Sequence, residues 1–411
     1  MRILTYTSLF PNAEQPNLGI FVYQRVAHVA RRQGNEVAVI APVPYFPKWA
    51  PGESRGIFAR IPRREQIGGL HVEHPRYLLI PKISMALHAL GMALGTESAA
   101  RRLHKQHAFD CIDAHFAYPD GMAAVLLGKL LGLPVVITAR GTDATLYPTY
   151  RLIRPMLQWT YRQSTGIVAV SESLKQAILT LGIPPEHVRT IANGIDAARF
   201  APVDRGEARR LLGIPEGAPV IVSVGNLNEL KSQHLLVSAI LLLSQRYPTL
   251  RLYLIGEGPQ RSHLLEQIDH SHLQSQVSLV GRVANEDLGT WFSAADMSCL
   301  VSSREGWPNV VTESLACGTP VVAARIGGIP EIVTSVEQGV FVERNPDSIA
   351  RGIETALGKT WDHLAISKQA RKRTWDLVAA ETEAYLQECI GRVAPLERGD
   401  RKLNPRGLNA P

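Results

Sequence analysis

Two glutamates that stand eight positions apart, Glu305 and Glu313, flank a predicted helix start. Pro308 suits the first turn of a helix, so Glu305 is expected in the preceding loop and Glu313 about a turn and a half into the helix. A helix N-terminus offers free N–H groups and a partial positive charge, which suit a pyrophosphate, and each carboxylate can accept hydrogen bonds from a pair of hydroxyls. The spacing therefore predicts a site for a sugar nucleotide.

The alternative is that Glu305 is an ordinary solvated residue of a loop and Glu313 an ordinary charge on a helix surface, because acidic side chains usually lie in solvent. The neighbouring sequence favours a site instead. A strand-like run at Ala295 to Leu300 precedes the pair, and Gly318 and a second apolar strand at Pro320 to Ala324 follow it. Open α/β sheets bind their ligands just beyond the carboxyl ends of such strands.

The stretch from Glu305 to Ala324 resembles the signature of glycosyltransferase family 4, whose members are retaining, nucleotide-sugar-dependent enzymes of the GT-B fold. The resemblance implies that Glu313 binds the ribose of the donor and that the N–H group of Val310 contacts phosphate. It also implies that the donor sugar is held by Glu305, Gly306, Trp307 and Asn309. The family often has Phe or Leu at the position of Trp307, so a sugar pocket of different shape is expected.

A second candidate is Lys231, in a glycine-containing turn between a strand and the apolar helix Leu235 to Leu243. Such a turn suits phosphate because the backbone approaches closely and the ammonium offsets negative charge, although a lysine at a helix start is by default solvated. By the resemblance, Lys231 contacts the donor pyrophosphate. The family usually has Arg directly after the glycine, where this chain has the uncharged Asn226. Phosphate binding is then expected to need another cation, for which the candidates are Arg140 and Arg304.

The first half of the chain supplies the predicted acceptor side. A lone histidine such as His115 is more often a core residue, but the resemblance places it beside the donor sugar, where it would donate a hydrogen bond or support the reacting centre electrostatically. Arg140 and Asp143 match a family loop that faces the cleft, and Asp143 equally suits a helix cap. Gly19 resembles a small residue that lets the backbone approach phosphate.

The loop at Gly281-Arg282-Val283 follows another strand, and the resemblance places Arg282 near the nucleotide. Neither this loop nor Gly256-Glu257-Gly258 is a G-x-G-x-x-G fingerprint, which disfavours a dinucleotide dehydrogenase. The sequence contains no paired acidic cluster of the kind that binds a divalent ion. The expectation is that the protein uses no metal and no other cofactor, with the nucleotide sugar as substrate.

The chain of 411 residues is too long for one hydrophobic core and fits two domains. Both halves alternate strands with helices, which predicts the α/β class with parallel sheets. The resemblance implies a GT-B fold, with two Rossmann-like domains facing each other across a cleft. A turn signal at Asn193 to Asp196 and Pro202 place the boundary near residue 200.

The predicted domains are 1–200, on the acceptor side, and 201–374, which binds the nucleotide sugar. Helical periodicity returns at 375–392, and the resemblance implies that this helix packs back on the first domain. Residues 393–411 are rich in Pro, Gly, Asn and charge and are expected to be disordered.

The cellular setting is predicted to be the cytoplasm. Four scattered cysteines without a C-x-x-C pair argue against a zinc site or a disulfide framework. Met1 to Phe10 is only briefly apolar and does not fit a signal peptide. The longest apolar run, Ala123 to Ala139, is interrupted by Lys129 and Pro134 and is too short to cross a bilayer.

The charge is uneven, with 22 Lys and Arg against 13 Asp and Glu in residues 1–200 and 22 against 24 in the rest. A basic first half suggests an anionic partner there, and the absence of a nucleic-acid motif favours a membrane or a polyprenyl-phosphate acceptor. Leu78 to Leu94, with Lys82 and His88, is compatible with an interfacial amphipathic helix at the inner face of the cytoplasmic membrane. A helix packed on the domain core is equally compatible.

These observations together favour a retaining glycosyltransferase that moves a sugar from a nucleoside diphosphate sugar to a saccharide or lipid-linked glycan acceptor in cell-surface polysaccharide biosynthesis. One alternative is a nucleotide-sugar 2-epimerase on the same architecture, which would consume no acceptor. The other is a non-catalytic, donor-binding subunit of a polysaccharide assembly. Asn226 suits that second alternative, whereas the joint presence of catalytic candidates argues for an enzyme, namely His115, Lys231, Glu305 and Glu313.

Overall fold

The computed structural model describes residues 1–46, 53–79, 85 and 87–397. Apolar runs in the first half form ten strands, β1 (Arg2–Tyr6), β2 (Glu36–Ile40), β3 (Val43–Pro44), β4 (Arg64–Ile67), β5 (Leu70–Glu73), β6 (Arg76–Tyr77), β7 (Cys111–His115), β8 (Val135–Ala139), β9 (Gly166–Ala169) and β10 (Val188–Thr190). Eight of them make one sheet, in the order β10-β9-β8-β7-β1-β2-β5-β4, and β3 pairs with β6.

Helices cover both faces of this sheet. Their bounds are α1 (Ile20–Arg31), α2 (Glu53–Arg60), α3 (His88–His107), α4 (Met122–Leu131), α5 (Thr142–Thr145), α6 (Ile153–Gln163) and α7 (Glu172–Leu179). The strands β7, β8 and β9 are buried along their whole length, as expected of parallel strands that lie between two helical layers. β4 runs antiparallel to β5, a hairpin that the sequence analysis did not predict.

The second half forms a six-stranded sheet in the order β13-β12-β11-β14-β15-β16. Its strands are β11 (Val220–Val224), β12 (Arg251–Ile255), β13 (Val277–Gly281), β14 (Met297–Leu300), β15 (Val321–Ala324) and β16 (Gly339–Val342). The remaining helices are α8 (Arg205–Leu212), α9 (Gln233–Leu243), α10 (Arg261–His270), α11 (Leu288–Ala294), α12 (Asn309–Ala316), α13 (Ile329–Ile332), α14 (Pro346–Leu357), α15 (His363–Ala370) and α16 (Trp375–Glu397). The predicted pair of Rossmann-like parallel-sheet domains is confirmed.

The chain crosses between the two sheets twice, and the crossings lie side by side. The N–H of Ile195 donates to the carbonyl of Arg373 at 2.9 Å, and Ile195 forms a parallel bridge with Thr374. Ile195 and Phe200 already pack in a hydrophobic cluster of the second half. The packing therefore puts the first crossing between Thr190 and Ile195, a few residues before the predicted boundary at 200.

The last helix, α16, packs on the first sheet. Its residues Trp375, Val378 and Tyr385 lie in one buried cluster with Ile3 of β1 and Val136 of β8. The Tyr385 hydroxyl also accepts the N–H of Ile167 at 3.2 Å and donates to the carbonyl of His187 at 3.1 Å. The helix continues to Glu397, so residues 393–397 are helical rather than disordered; the rest of the predicted tail lies outside the described residues.

The stretch predicted as an interfacial helix, Leu78 to Leu94, is helical only from His88 in its described part, and Lys82 lies outside the described residues. One face of α3 is buried and another is apolar but exposed, with Leu90 46% and Leu94 64% exposed. Within the described ranges, no helix combines the length and the hydropathy that a membrane span requires.

Candidate active site between the two domains

The turn between β14 and α12 carries the two glutamates in the predicted arrangement. Pro308 lies at the N-cap position in an extended conformation, Glu305 is in the loop before it, and Glu313 is the fifth residue of α12. No side chain caps this helix, so its first N–H groups are available to a ligand. Val310, whose N–H group is predicted to contact phosphate, is the second residue of the helix.

Lys231 reaches this turn from the loop that follows β11. Its Nζ lies 2.5 Å from Glu305 Oε1, and both side chains are largely buried. The lysine stem passes over Gly225, where an added Cβ would lie 3.3 Å from Lys231 Cε. The structure thus brings together the predicted phosphate-binding and sugar-binding side chains, as an ion pair that occupies both groups.

Glu313 lines a small cavity with Arg199, Asn285 and Phe21. Burial raises the pKa of Glu313 to about 7, and the positive charge of Arg199 opposes part of that shift. A carboxyl group with this pKa is only partly ionised near neutral pH. Two neighbouring hydroxyls of a ribose would supply the hydrogen bonds that its ionised form lacks.

The first domain contributes a buried polar network below the cleft. Arg140 donates to His115 Nδ1 at 2.8 Å and to Asn193 Oδ1 at 3.2 Å, and Arg25 donates to Asn193 Oδ1 at 3.3 Å. His115 Nε2 lies 3.2 Å from Asp113 Oδ2, although the angle is too poor for a hydrogen bond.

Electrostatics keep His115 neutral. Burial, with a smaller contribution from the charge of Arg140, lowers its pKa to about 4 against the opposing charge of Asp113. Because His115 Nδ1 accepts from Arg140, the neutral ring carries its proton on Nε2, which has no hydrogen-bond partner here. Two guanidinium groups, those of Arg25 and Arg140, lie here beside two carboxyl groups, those of Asp113 and Asp143, so the charges of this region are largely balanced.

The two domains meet at the signature loop, which is the loop of residues 301–308 between β14 and α12. The Asn193 side chain donates to Asn309 Oδ1 at 3.0 Å, which ties the first domain to the start of α12. Gly306 lies so close to the carbonyl oxygen of Arg140 that an added Cβ would come within 2.1 Å of it. Any other residue at 306 would therefore push the domains apart.

The Asp143 side chain is fully buried and accepts the N–H groups of Ala117, Arg140 and Gly141 at 2.7 to 3.0 Å. In the structure it holds the two loops that follow β7 and β8. Its contact with an acceptor stays a prediction. Burial also raises the pKa of Asp143.

Trp307 lies at the contact between the domains, and its predicted contact with the sugar stays a prediction. Its indole packs against the core of the first domain and against the cluster around α12. It lines a cavity with Arg189, Glu331 and Arg373 that shares no lining residue with the cavity at Glu313. The substitution of Trp for Phe or Leu therefore changes the contact between the domains rather than the wall around Glu313.

The remaining predicted residues surround the cleft. Gly19 has a positive φ of 61°, and an added Cβ would lie 2.1 Å from the Leu9 carbonyl oxygen, so only glycine fits. Asn226, Arg282 and Arg304 are exposed. Of the two candidate extra cations, Arg140 faces the signature loop, and its guanidinium is engaged by His115 and Asn193.

Sequence reasoning missed four contributors, namely Arg25, Asp113, Asn193 and Arg199. Asn193 had a usable signal, since it opens a turn between two domains. Arg25 looks like an ordinary basic residue on a helix surface, yet it is fully buried. The ligand contacts that the sequence analysis assigns to its candidate residues stay predictions.

Comparison with known proteins identifies the class. The family model described as Glycosyltransferase Family 4 matches residues 20–199, and the model described as Glycosyl transferases group 1 matches residues 204–373. Together they span most of the chain and both of its sheets. The chain therefore belongs to the glycosyltransferases, with a family 4 domain followed by a group 1 domain.

Curated relatives support the same assignment. The chain is 28% identical over 362 residues to the protein named as teichuronic acid biosynthesis glycosyltransferase TuaC of Bacillus subtilis, covering 86% of this chain and 88% of the relative. It is 25% identical over 252 residues to N-acetyl-alpha-D-glucosaminyl L-malate synthase of Bacillus anthracis, covering 61% of this chain and 65% of that relative, just under two thirds of its length.

Solved structures show the same fold. Sucrose-phosphate synthase from Thermosynechococcus elongatus superposes with a TM-score of 0.76 at 19% identity, covering 95% of this chain and 99% of that one. Anabaena HepE in complex with UDP superposes with a TM-score of 0.72 at 20% identity, covering 94% and 100%. The predicted GT-B fold is confirmed, and the predicted class of enzyme with it.

The pKa of Glu313 generates a prediction for nucleotide binding. Below a pH of about 7 the carboxyl group is protonated and loses charge-assisted acceptance, so affinity for the matching nucleoside diphosphate should fall as the pH is lowered from 8 to 6. Glu313→Gln should bind that nucleotide more weakly at pH 8 and lose this part of the pH dependence. Calorimetric titrations of both proteins measure these affinities. Protonation of the diphosphate itself is the same in both experiments and cancels in the comparison. Equal pH slopes would remove Glu313 from the nucleotide site.

Proposed function

We propose that this glycosyltransferase transfers a sugar from a nucleoside diphosphate sugar to a saccharide or lipid-linked glycan acceptor in cell-surface polysaccharide biosynthesis. The observation that carries the proposal is the Lys231–Glu305 ion pair at the uncapped start of α12. A cation and a helix N-terminus suit a diphosphate, and the adjacent carboxylate suits sugar hydroxyls. The structural neighbour HepE is described in complex with UDP and with UDP-glucose, which supports a donor of this kind.

In the proposed complex each group of the ion pair changes partner. Lys231 turns to the diphosphate, and Glu305, with the backbone of Gly306 and the side chain of Asn309, binds the sugar. Glu313 binds the ribose, and Arg282 lies by the nucleotide. Asn226 brings no charge, so Lys231 and the free N–H groups at the start of α12 offset the diphosphate charge.

Acceptor binding is proposed at the carboxyl ends of β1, β2 and β5, where open α/β sheets take their ligands. A cavity there is walled by rings and carboxamides that suit a saccharide ring, contributed by Phe10, Phe58, Tyr77, Asn12 and Gln15. Both ring nitrogens of His74, in the same cavity, are engaged, Nε2 by a Glu65 carboxylate oxygen at 2.5 Å and Nδ1 by the Ala41 carbonyl at 3.0 Å. The lining therefore favours an uncharged acceptor unit at this position.

The first domain is also proposed to contact an anionic membrane, from which a lipid-linked acceptor would enter. Leu87, Leu90 and Leu94 are exposed and fall on one side of the start of α3 by their spacing, and Arg101, which is paired with Glu97 at 2.9 Å, follows two turns later. Tyr77, which lines the acceptor cavity, is followed by the exposed Leu78. Apolar side chains beside basic ones are typical of an interfacial surface.

Sedimentation with lipid vesicles tests this contact. The protein should pellet with vesicles that contain phosphatidylglycerol and stay in solution with pure phosphatidylcholine. Leu94→Glu should weaken binding by about tenfold or more, because a buried leucine contributes about 1.5 to 3 kcal/mol. The control is Leu130→Glu on α4, another exposed leucine. Equal binding by the two variants would contradict the assignment of this surface.

A further part of the proposal is that transfer needs no divalent metal. The described residues hold no group of three or more acidic, histidine or cysteine side chains placed to ligate an ion, and the cleft supplies cations of its own. Transfer should persist in excess EDTA. Activity that disappears on chelation and returns with manganese would contradict this part while leaving the sugar transfer standing.

The anomeric configuration of the donor sugar is predicted to be retained. The predicted site pairs Glu305 with Lys231 and marks no further carboxylate as a nucleophile, which a two-step route through a covalent intermediate would need. We favour attack from the same face, in which the acceptor hydroxyl gives its proton to the leaving phosphate. Lys231 and the start of α12 hold the developing charge, and His115 is proposed to support the reacting centre electrostatically.

Proton NMR of the first product formed measures this outcome directly. Retention in the product agrees with the same-face mechanism. Inversion would exclude it. A sugar trapped covalently on the protein would keep retention but replace the mechanism by a two-step route.

A further inference from the structure

Glu331, which belongs to the second domain, caps a helix of the first. Its two carboxylate oxygens accept the N–H groups of Glu172 and Ser173, at 2.8 and 3.0 Å, in the first turn of α7. The third N–H of this helix, that of Leu174, is taken by the hydroxyl of its own N-cap residue Ser171. Two N–H groups at the start of α7 thus have no hydrogen-bond acceptor within the first domain, and the second domain supplies one for each.

The turn that leads to Glu331 also supports the signature loop from behind. Gly328 donates its N–H to the carbonyl of Gly306 at 3.1 Å. An added Cβ on Gly327 would lie 2.0 Å from the Glu305 carbonyl oxygen, and one on Gly328 would lie 3.1 Å from the Ser171 Cβ. The turn is therefore wedged between the predicted sugar-binding loop and the first domain.

On its other side the same loop presses against the first domain at Arg140. Glu305 and Gly306 are consequently held between two contacts, one at Arg140 and one through α13 at the start of α7. Glu331 in α13 and Gly327 just before it are only four residues apart. The contact of Glu331 with α7 therefore fixes the orientation of the signature loop relative to the first domain.

We propose that Glu331 is a positioning residue that couples closure of the two domains to the transfer reaction. This inference rests on the proposed function, in which the donor site lies on the second domain and His115 and the acceptor cavity lie on the first. A carboxylate at a helix N-terminus is favourable only at short range, so the cap exists only when the domains are closed. The contact is open to solvent, and water takes over the same N–H groups on opening, which makes the cap reversible.

The position of the proposed donor site on one domain predicts different effects on nucleotide affinity and on turnover. The residues proposed to bind the nucleotide, Lys231, Glu313 and the start of α12, all belong to the second domain, and so does Glu305, which is proposed to bind the sugar. Loss of the Glu331 cap should therefore leave nucleotide affinity unchanged. Turnover should fall, because the reaction also needs groups of the first domain.

Three variants test the cap. Glu331→Gln keeps one acceptor and turns an NH2 group toward the second N–H. Glu172→Pro removes one donor from the other side, at a first helical position that suits proline and after an extended Ser171. Glu172→Ala is the matched control, since it loses the same side chain but keeps the N–H.

The measurements are solution X-ray scattering of the free proteins, calorimetric titration with UDP, GDP and ADP, and hydrolysis of the matching nucleoside diphosphate glucose. Glu331→Gln and Glu172→Pro should each show a larger radius of gyration and turnover lowered by about tenfold, the range expected for one charge-assisted hydrogen bond. Dissociation constants should stay within about twofold of the original. The double variant should be no worse than either single one.

Unchanged scattering and turnover in Glu331→Gln would overturn the inference, and so would equal effects of Glu172→Ala and Glu172→Pro. A fall in nucleotide affinity that parallels the fall in turnover would mean that Glu331 supports the donor site itself, which also overturns it. If the original protein binds none of the three nucleotides, the proposed function fails. Scattering of the free proteins then still decides whether Glu331 closes the domains.

Discussion

The ion pair between Lys231 and Glu305 is the interaction on which the candidate site depends. It joins the loops that follow β11 and β14 and keeps a partly buried ammonium and a partly buried carboxylate from standing unpaired, which would be costly. A donor with a diphosphate and a hydroxylated sugar can replace each partner by a chemically equivalent one. The unliganded structure therefore already contains the charge arrangement that the donor requires, at the start of a helix whose N–H groups are uncapped.

The first domain brings a different kind of constraint. Arg25, Arg140 and Asn193 form a buried polar network that keeps His115 neutral and extends through Asn193 to Asn309 of the second domain. The signature loop contacts this network through Gly306, which has no side chain to hold the domains apart. Both chain crossings lie at one place, where Ile195 pairs with Arg373, so the domains can rotate about a narrow connection.

Much of this could be predicted from the sequence because it depends on local pattern. Strands such as β8 and β11 are apolar except for one small polar residue each, and Glu305 and Glu313 are set by their spacing around Pro308. Other features depend on contacts between distant segments. Arg25 is buried because α16 covers α1, Trp307 points toward the first domain, and the Asp143 carboxylate is taken up by backbone N–H groups. The hairpin at Gly68-Gly69 did carry a turn signal, which the sequence analysis did not use.

The central claim is that the donor, when it binds, replaces each partner of the Lys231–Glu305 ion pair. A crystal structure with a bound nucleoside diphosphate sugar tests it most directly. The account predicts that Lys231 Nζ leaves Glu305 and lies within hydrogen-bonding distance of a phosphate oxygen, while Glu305 contacts sugar hydroxyls and Glu313 contacts the ribose. A complex in which the ion pair stays intact and the donor lies elsewhere would contradict the account.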